Sequence, residues 1–135
     1  MNEILDEGGI LVGKRIEDLS LLVVDDNEIN LMLMEDIFEM MNVGEVKTID
    51  SGIDAVDEIE KNPNYDMIVM DICMPGMDGY EASKKIRQLG YTGRIVALTA
   101  NVLTTDDTEF KEAMMDDVLL KPVDLDMIRK VLCFE

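Results

Sequence analysis

Five side chains that could take part in phosphoryl or metal chemistry each follow a short apolar segment. They are Asp25, Asp26, Asp71, Thr99 and Lys121. Carboxylates held close together repel one another, so one must take up a proton or a cation must lie between them. All-oxygen ligands without thiolate or imidazole favour a hard ion such as Mg²⁺. A carboxylate beside Mg²⁺ can attack a phosphoryl group and form an acyl phosphate, whose oxygens an ammonium and a hydroxyl would neutralise.

Each of these residues also has an ordinary structural interpretation. Asp25 or Asp26 could cap the helix that follows, which is a common role for aspartate, and Asp71 could begin a turn. Thr99 could be a helix cap or a strand residue, and Lys121 could be a solvated surface lysine. Five such residues, each at the carboxyl end of a predicted strand, indicate one shared site rather than five separate structural roles.

The elements that position these residues alternate regularly along the chain. Apolar runs predict strands at residues 21–24, 46–49, 67–70, 95–98 and 118–120, and helical spacing predicts helices at 27–41, 51–61, 79–89, 104–115 and 124–133. Five βα units in strict alternation indicate an α/β fold, a doubly wound parallel five-stranded sheet with helices on both faces. Ligands of such sheets bind beyond the carboxyl ends of the strands, where the five side chains are expected to meet.

The helices also carry predictions about their buried faces and ends. The first helix is expected to bury the apolar residues that recur at helical spacing: Ile29, Met32, Leu33, Ile37, Met40 and Met41. The second is expected to bury Ile53, Val56 and Ile59. Gly44 is suited to a left-handed cap after the first helix.

Composition narrows the possible functions. The 135 residues suit one domain, and a formal charge of −18 argues against binding to nucleic acid or to an anionic membrane. The chain has no histidine, which excludes a histidine-based zinc site or a Ser-His triad, and Cys73 and Cys133 form no metal-spaced pair. No apolar run is long enough to span a bilayer, and no signal peptide opens the chain, so we expect a cytoplasmic protein.

Four motifs resemble those of the receiver domain of two-component response regulators. They are LLVVDDNEIN at residues 21–30, VMDICMPGMDG at 69–79, IVALTAN at 95–101 and LLKP at 119–122. The resemblance covers residues 19–135 and leaves 1–18 as a flexible leader or linker. It implies a flavodoxin-like (βα)5 fold with strand order 2-1-3-4-5, the order of the chemotaxis members of this family. The residues of these motifs are most similar to those in receivers of hybrid sensor histidine kinases. A free-standing receiver is the alternative.

The resemblance also implies a role for each residue of the site. Asp71 would be the phosphoacceptor, taking its phosphoryl group from a histidine kinase or a histidine phosphotransfer domain. Mg²⁺ would bind to Asp26, Asp71 and the backbone carbonyl of Cys73, with Asp25 assisting through water. Thr99, Lys121 and the backbone N–H of Ala100 would bind the phosphoryl oxygens. The Lys121–Pro122 bond is expected to be cis.

Two positions depart from the family pattern. Many members carry Tyr or Phe three residues before the lysine, a ring that reorients on phosphorylation, and this chain has Val118 there. Many have glycine where Met114 stands, and a non-glycine residue in the left-handed region costs about 1 kcal/mol.

Two other functions share part of this pattern. Haloacid-dehalogenase-type phosphohydrolases also use an aspartate nucleophile, Mg²⁺, threonine and lysine. They place the nucleophile in an Asp-x-Asp pattern after the first strand, however, whereas this chain has adjacent acids there and no insertion long enough for a cap domain. A degenerate receiver that only binds partners is disfavoured because every key position is filled. The expected protein is therefore a signalling module rather than a turnover enzyme.

Overall fold

The five apolar runs form one parallel sheet. In the computed structural model, which describes residues 15–101 and 106–132, the strands are β1 (Ser20–Val24), β2 (Glu45–Ile49), β3 (Met67–Asp71), β4 (Arg94–Thr99) and β5 (Asp117–Leu120). All neighbouring pairs are parallel, and the order β2-β1-β3-β4-β5 confirms the prediction. All five residues of β3 are buried. Burial on both faces explains why this strand is a continuous apolar run rather than an alternating one.

The helices follow the strands as expected. They are α1 (Glu28–Met40), α2 (Gly52–Lys61), α3 (Gly79–Gln88), α4 (Asp107–Glu112) and α5 (Leu125–Leu132). The first four begin after residues whose side chains accept backbone N–H groups of the first turn, namely Asn27, Ser51, Asp78 and Asp106. The fourth helix is shorter than the predicted range 104–115, and residues 102–105 and Cys133 lie outside the described part of the chain.

Two apolar clusters cover the two faces of the sheet. On one face, sheet residues such as Val23 and Val69 pack with α1 and α5. On the other face, residues such as Ile68 and Ala97 pack with α2 and α3. This is the doubly wound arrangement predicted for alternating strands and helices.

The predicted buried face of α1 is largely wrong. The helix buries Leu31, Met34, Ile37 and Phe38, so only Ile37 of the predicted set is fully buried. The exposed fractions of Ile29, Met32 and Met40 are 75%, 61% and 70%. Apolar residues lie on nearly every side of this helix, and the sheet contacts a different side from the one that the spacing suggested. On α2, Ile59 is buried as predicted but Ile53 is exposed.

The connection after α1 also differs from the prediction. Asn42, not Gly44, has the positive φ of 64°, a conformation that asparagine tolerates better than most residues. Gly44 instead allows a close approach, because a Cβ there would collide with the backbone oxygen of Glu17. Residues Ile16–Asp18 form a 3-10 turn, and Ile16 packs against the first cluster. This turn lies within the stretch predicted as a leader or linker, and the domain boundary at Leu19 stays a prediction.

Candidate functional site

The strand register brings the predicted residues to one edge of the sheet. Pairing of β1 with β3 sets Asp25 beside Asp71, which is the last residue of β3. Pairing of β3 with β4 sets Asp71 next to the residue before Thr99. Lys121 follows the β5 residue that pairs with Thr99, and its N–H donates to the Thr99 carbonyl at 2.7 Å. The carboxyl edge therefore collects these four side chains, as the sequence predicted.

Three carboxylates converge at this edge. Ligand oxygens of Asp25, Asp26 and Asp71 all lie within 4.8 Å of one another, and within the described residues no other group of three or more potential ligand side chains is this close. Asp25 and Asp71 are buried, whereas Asp26 is exposed. The cluster therefore has a buried floor and an opening to solvent on the side of Asp26.

Lys121 is the cation of the cluster. Its Nζ lies 3.2 Å from Asp25 Oδ2 and 3.3 Å from Asp71 Oδ2. Burial lowers the pKa of the Lys121 ammonium, but the attraction of Asp71 and Asp25 outweighs this effect and the pKa is raised overall. Lys121 is therefore charged near neutral pH and is not the solvated surface lysine of the alternative interpretation.

Backbone groups fix the orientation of the two buried carboxylates. Asp25 Oδ1 accepts the N–H of Asn27 at 2.9 Å, and Asp71 Oδ1 accepts the N–H of Cys73 at 3.1 Å. The helix cap is Asn27 rather than Asp25 or Asp26. Both buried carboxylates therefore keep their Oδ2 atoms directed at Lys121.

The electrostatic environment of Asp71 is unfavourable for its negative charge. Burial is the main cause, followed by repulsion from Asp25, and together they raise the pKa of Asp71 to about 6. The N–H of Cys73 and the ammonium of Lys121 oppose the increase. One lysine therefore does not fully compensate the crowded acids.

The cluster suits a divalent cation. Asp25 Oδ2 is buried and, despite its ion pair with Lys121, has no partner in hydrogen-bond geometry. The donors are carboxylate oxygens, which Mg²⁺ prefers to nitrogen or sulfur. A cation between them would relieve the repulsion that raises the Asp71 pKa, so the residues present fit the predicted metal.

The other predicted residues surround this cluster. The Thr99 hydroxyl is buried and engaged locally: it donates to the Asn101 carbonyl at 3.2 Å and accepts the Asn101 N–H at 3.3 Å. Ala100 follows it and is exposed. Cys73 is an exposed free cysteine two residues after Asp71. The Lys121–Pro122 bond is cis, as predicted.

Sequence reasoning missed one residue near the site. Tyr80, in the first turn of α3, accepts a hydrogen bond from the backbone N–H of Asp106 at 3.0 Å. No sequence pattern could have revealed this contact, because its donor is a backbone group that every residue except proline carries.

The chain is similar to known proteins both by a family model and by sequence identity. A family model described as the response regulator receiver domain matches residues 21–133. The sensor histidine kinase RcsC of Escherichia coli is 40% identical over 117 residues, which cover 86% of this chain but only 12% of RcsC. In the described residues, no helix is both long and apolar enough to cross a membrane.

Two solved structures extend the comparison to three dimensions. The receiver domain of the histidine kinase CKI1 from Arabidopsis thaliana, in complex with Mg²⁺ and BeF₃⁻, has a TM-score of 0.76 at 30% identity, covering 84% of this chain and 89% of that one. The receiver domain of the sensor histidine kinase PA1611 from Pseudomonas aeruginosa, with a magnesium ion coordinated in its active site cleft, has a TM-score of 0.75 at 35% identity. That match covers 85% of this chain and 94% of that one.

Proposed function

Because the chain belongs to the response regulator receiver domain family, we propose that Asp71 accepts a phosphoryl group from a phosphohistidine of a partner protein. The observation that carries the proposal is the environment of Asp71. This buried carboxylate ends the central strand and lies 3.3 Å from the Lys121 ammonium, within a cluster of three acids. The cluster opens to solvent at the exposed Asp26, and a partner would approach Asp71 from that side.

In the proposed reaction, a carboxylate oxygen of Asp71 attacks the phosphorus atom. The bond from phosphorus to the imidazole nitrogen breaks, its electron pair returns to the imidazole, and that nitrogen takes up a proton. The product on this chain is an aspartyl phosphate. The attacking form of Asp71 is the ionised carboxylate, which the Lys121 ammonium and the Cys73 N–H favour against burial and the repulsion of Asp25, and a cation bound at the cluster would favour it further.

The proposed metal ligands are Asp26, Asp71 and the backbone carbonyl of Cys73, with Asp25 assisting through water. When bound there, Mg²⁺ would neutralise charge on the transferred phosphoryl group. The all-oxygen cluster supports this assignment, as do the Mg²⁺ complexes of the two receiver domains described above.

Three further groups are proposed to bind the phosphoryl oxygens. Lys121 would exchange its contact with Asp71 for one with the phosphoryl group. Thr99 would turn its hydroxyl from Asn101 to a phosphoryl oxygen, and the backbone N–H of Ala100, an exposed residue, would donate to another. Charge-assisted hydrogen bonds of this kind are stronger than those between neutral groups.

The proposed partner is a histidine kinase or a histidine phosphotransfer domain. Relatives such as RcsC support this, although the chain spans only 12% of the length of RcsC. We propose self-phosphorylation and self-dephosphorylation that depend on Mg²⁺, rather than turnover of a released substrate. A cytoplasmic location is consistent with the exposed free thiol of Cys73, which a reducing compartment would preserve.

The acceptor can be tested with a small phosphodonor. Acetyl phosphate with Mg²⁺ should add one phosphoryl group, seen by mass spectrometry and removed by alkali, as expected of an acyl phosphate. Asp71→Asn should abolish the addition, whereas Asp57→Asn, at an exposed acid on α2 away from the cluster, should leave it unchanged. Equal labelling of Asp71→Asn and the wild type would show that the acceptor is another residue.

A further inference from the structure

Contacts from α3 hold the first residues of α4. The phenolic oxygen of Tyr80 accepts the backbone N–H of Asp106 at 3.0 Å. Asp106 is the N-cap of α4, and its Oδ1 accepts the N–H groups of Thr108 and Glu109 at 3.0 and 3.1 Å. One turn further along α3, Lys84 Nζ lies 2.8 Å from Glu109 Oε1.

The two helices differ in how firmly they are attached to the sheet. A Cβ at Gly79 would collide with the backbone oxygen of Asp71, so α3 begins in direct contact with the acceptor residue. Helix α3 then buries Ala82, Ser83 and Ile86 against the sheet. None of the six residues of α4 is fully buried. Elements with few buried contacts are those that rearrange most easily, so α3 is the fixed member of the pair.

A phosphoryl group would change the hydrogen bonding of Thr99 and Asn101, shortly before α4 in the sequence. The Thr99 hydroxyl now donates to the Asn101 carbonyl, and it must leave that acceptor before it can donate to a phosphoryl oxygen. Asn101 precedes the N-cap Asp106 by only five residues. The acceptor that Thr99 would leave is therefore close in sequence to the cap of α4. Val118, where many receivers carry an aromatic ring, is too short and too stiff at χ1 to couple the site to the surface by a ring movement.

We propose that Tyr80 is a positioning residue whose hydrogen bond to Asp106 holds α4 in the arrangement of the phosphoryl-free protein and is released when the phosphoryl group binds. The inference rests on the phosphoacceptor function proposed above and adds to it the residue that controls α4. The phenol acts as a neutral group, since burial raises its pKa against the lowering effect of the Asp106 N–H.

The test compares Tyr80→Phe with the wild type in binding beryllofluoride, a mimic of the phosphoryl group. Beryllofluoride is titrated into the Mg²⁺-saturated protein and followed by NMR, and the affinity for Mg²⁺ alone is measured separately. Loss of the bond that holds the phosphoryl-free arrangement should tighten beryllofluoride binding about fivefold, the effect of one net hydrogen bond. Affinity for Mg²⁺ alone should stay the same, because Tyr80 does not belong to the carboxylate cluster. If Tyr80 only stabilised the fold, Tyr80→Phe would not tighten beryllofluoride binding while leaving the affinity for Mg²⁺ unchanged.

Tyr91→Phe is the matched control. The Tyr91 hydroxyl donates to the Tyr65 carbonyl at 2.9 Å near the opposite edge of the sheet, so this variant loses one phenol hydrogen bond that does not involve the N-cap of α4. It should bind beryllofluoride like the wild type. The inference is overturned if Tyr80→Phe also binds like the wild type, or if Tyr91→Phe tightens binding equally. A wild-type protein that binds no beryllofluoride would instead refute the phosphoacceptor function, and this inference with it.

Discussion

At the scale of single residues, the buried carboxylates of Asp25 and Asp71 destabilise the folded protein when no metal ion is bound between them, because Lys121 alone does not compensate their charge. Burial and repulsion raise the pKa of Asp71 to about 6 from a usual value of 3.8. The folded protein therefore holds this proton more tightly than the unfolded chain does. The resulting stabilisation is complete below the unfolded pKa and is lost as the pH rises through the folded pKa.

We therefore expect a pH-dependent loss of stability in the metal-free protein that depends on Asp71. In EDTA, the urea midpoint should fall between about pH 5 and about pH 7.5, and Asp71→Asn should reduce this fall because an amide cannot ionise. The variant should also be more stable than the wild type at the upper pH. Parallel pH profiles for the two proteins would contradict the raised pKa.

Asp26 should determine how far Mg²⁺ stabilises the fold. An ion that binds only the native state adds RT ln(1 + [L]/Kd) to the free energy of unfolding, so about 10 mM Mg²⁺ should raise the melting temperature. Asp26→Asn should show a smaller increment, and Glu28→Gln, at a nearby exposed acid outside the cluster, should show the full one. NaCl of equal ionic strength serves as the reference. An undiminished Mg²⁺ response in Asp26→Asn would exclude it as a ligand.

At the scale of elements, the turn after α4 contains a residue in an unfavourable backbone conformation. Met114 has a φ of 55° and an exposed side chain. Its carbonyl accepts a hydrogen bond from Arg87 Nη2 at 2.9 Å, a contact that does not depend on the Met114 side chain. Met114, where many family members have glycine, therefore lowers the stability of the fold, and its exposed side chain contributes little packing.

Met114→Gly should raise the free energy of unfolding by about 0.5–1 kcal/mol, the usual cost of a side chain in the left-handed region. Asn42→Gly is the matched control, since Asn42 also has a positive φ, of 64°, but belongs to a residue type that tolerates it. Its gain should be smaller, as measured by urea unfolding. A less stable Met114→Gly would mean that the side chain contributes more through packing than its backbone conformation costs.

Some features of these elements could be predicted from the sequence, and others could not. The edge that collects Asp25, Asp71 and Lys121 was predictable, because each strand ends where its apolar run ends and parallel strands share one carboxyl edge. The buried face of α1 was not, because Met32 and Met34 are equally apolar and only contact with the sheet distinguishes them. The hydrogen bond between the Asp106 N–H and the Tyr80 hydroxyl could not be predicted from the sequence, since its donor is a backbone group.

At the scale of the whole molecule, charge is the dominant feature. Thirty acidic residues face twelve basic ones, which gives a formal charge of −18. The exposed ion pairs contribute little to stability, as solvated pairs generally do. The absence of nucleic-acid binding stays a prediction that follows from this charge.

Repulsion among the exposed acids should make the stability of the fold depend on salt. At low ionic strength the screening length is about 30 Å, longer than most distances between surface charges of a domain, and it shortens to about 10 Å at 0.1 M. Like-charge repulsion is stronger in the compact folded state than in the expanded chain, so NaCl should raise the melting temperature. The buried contact of Lys121 with Asp71 is screened much less, so Asp71→Asn should show nearly the same salt dependence as the wild type. A melting temperature that falls as NaCl is added would mean that attractive pairs outweigh the net charge of this surface.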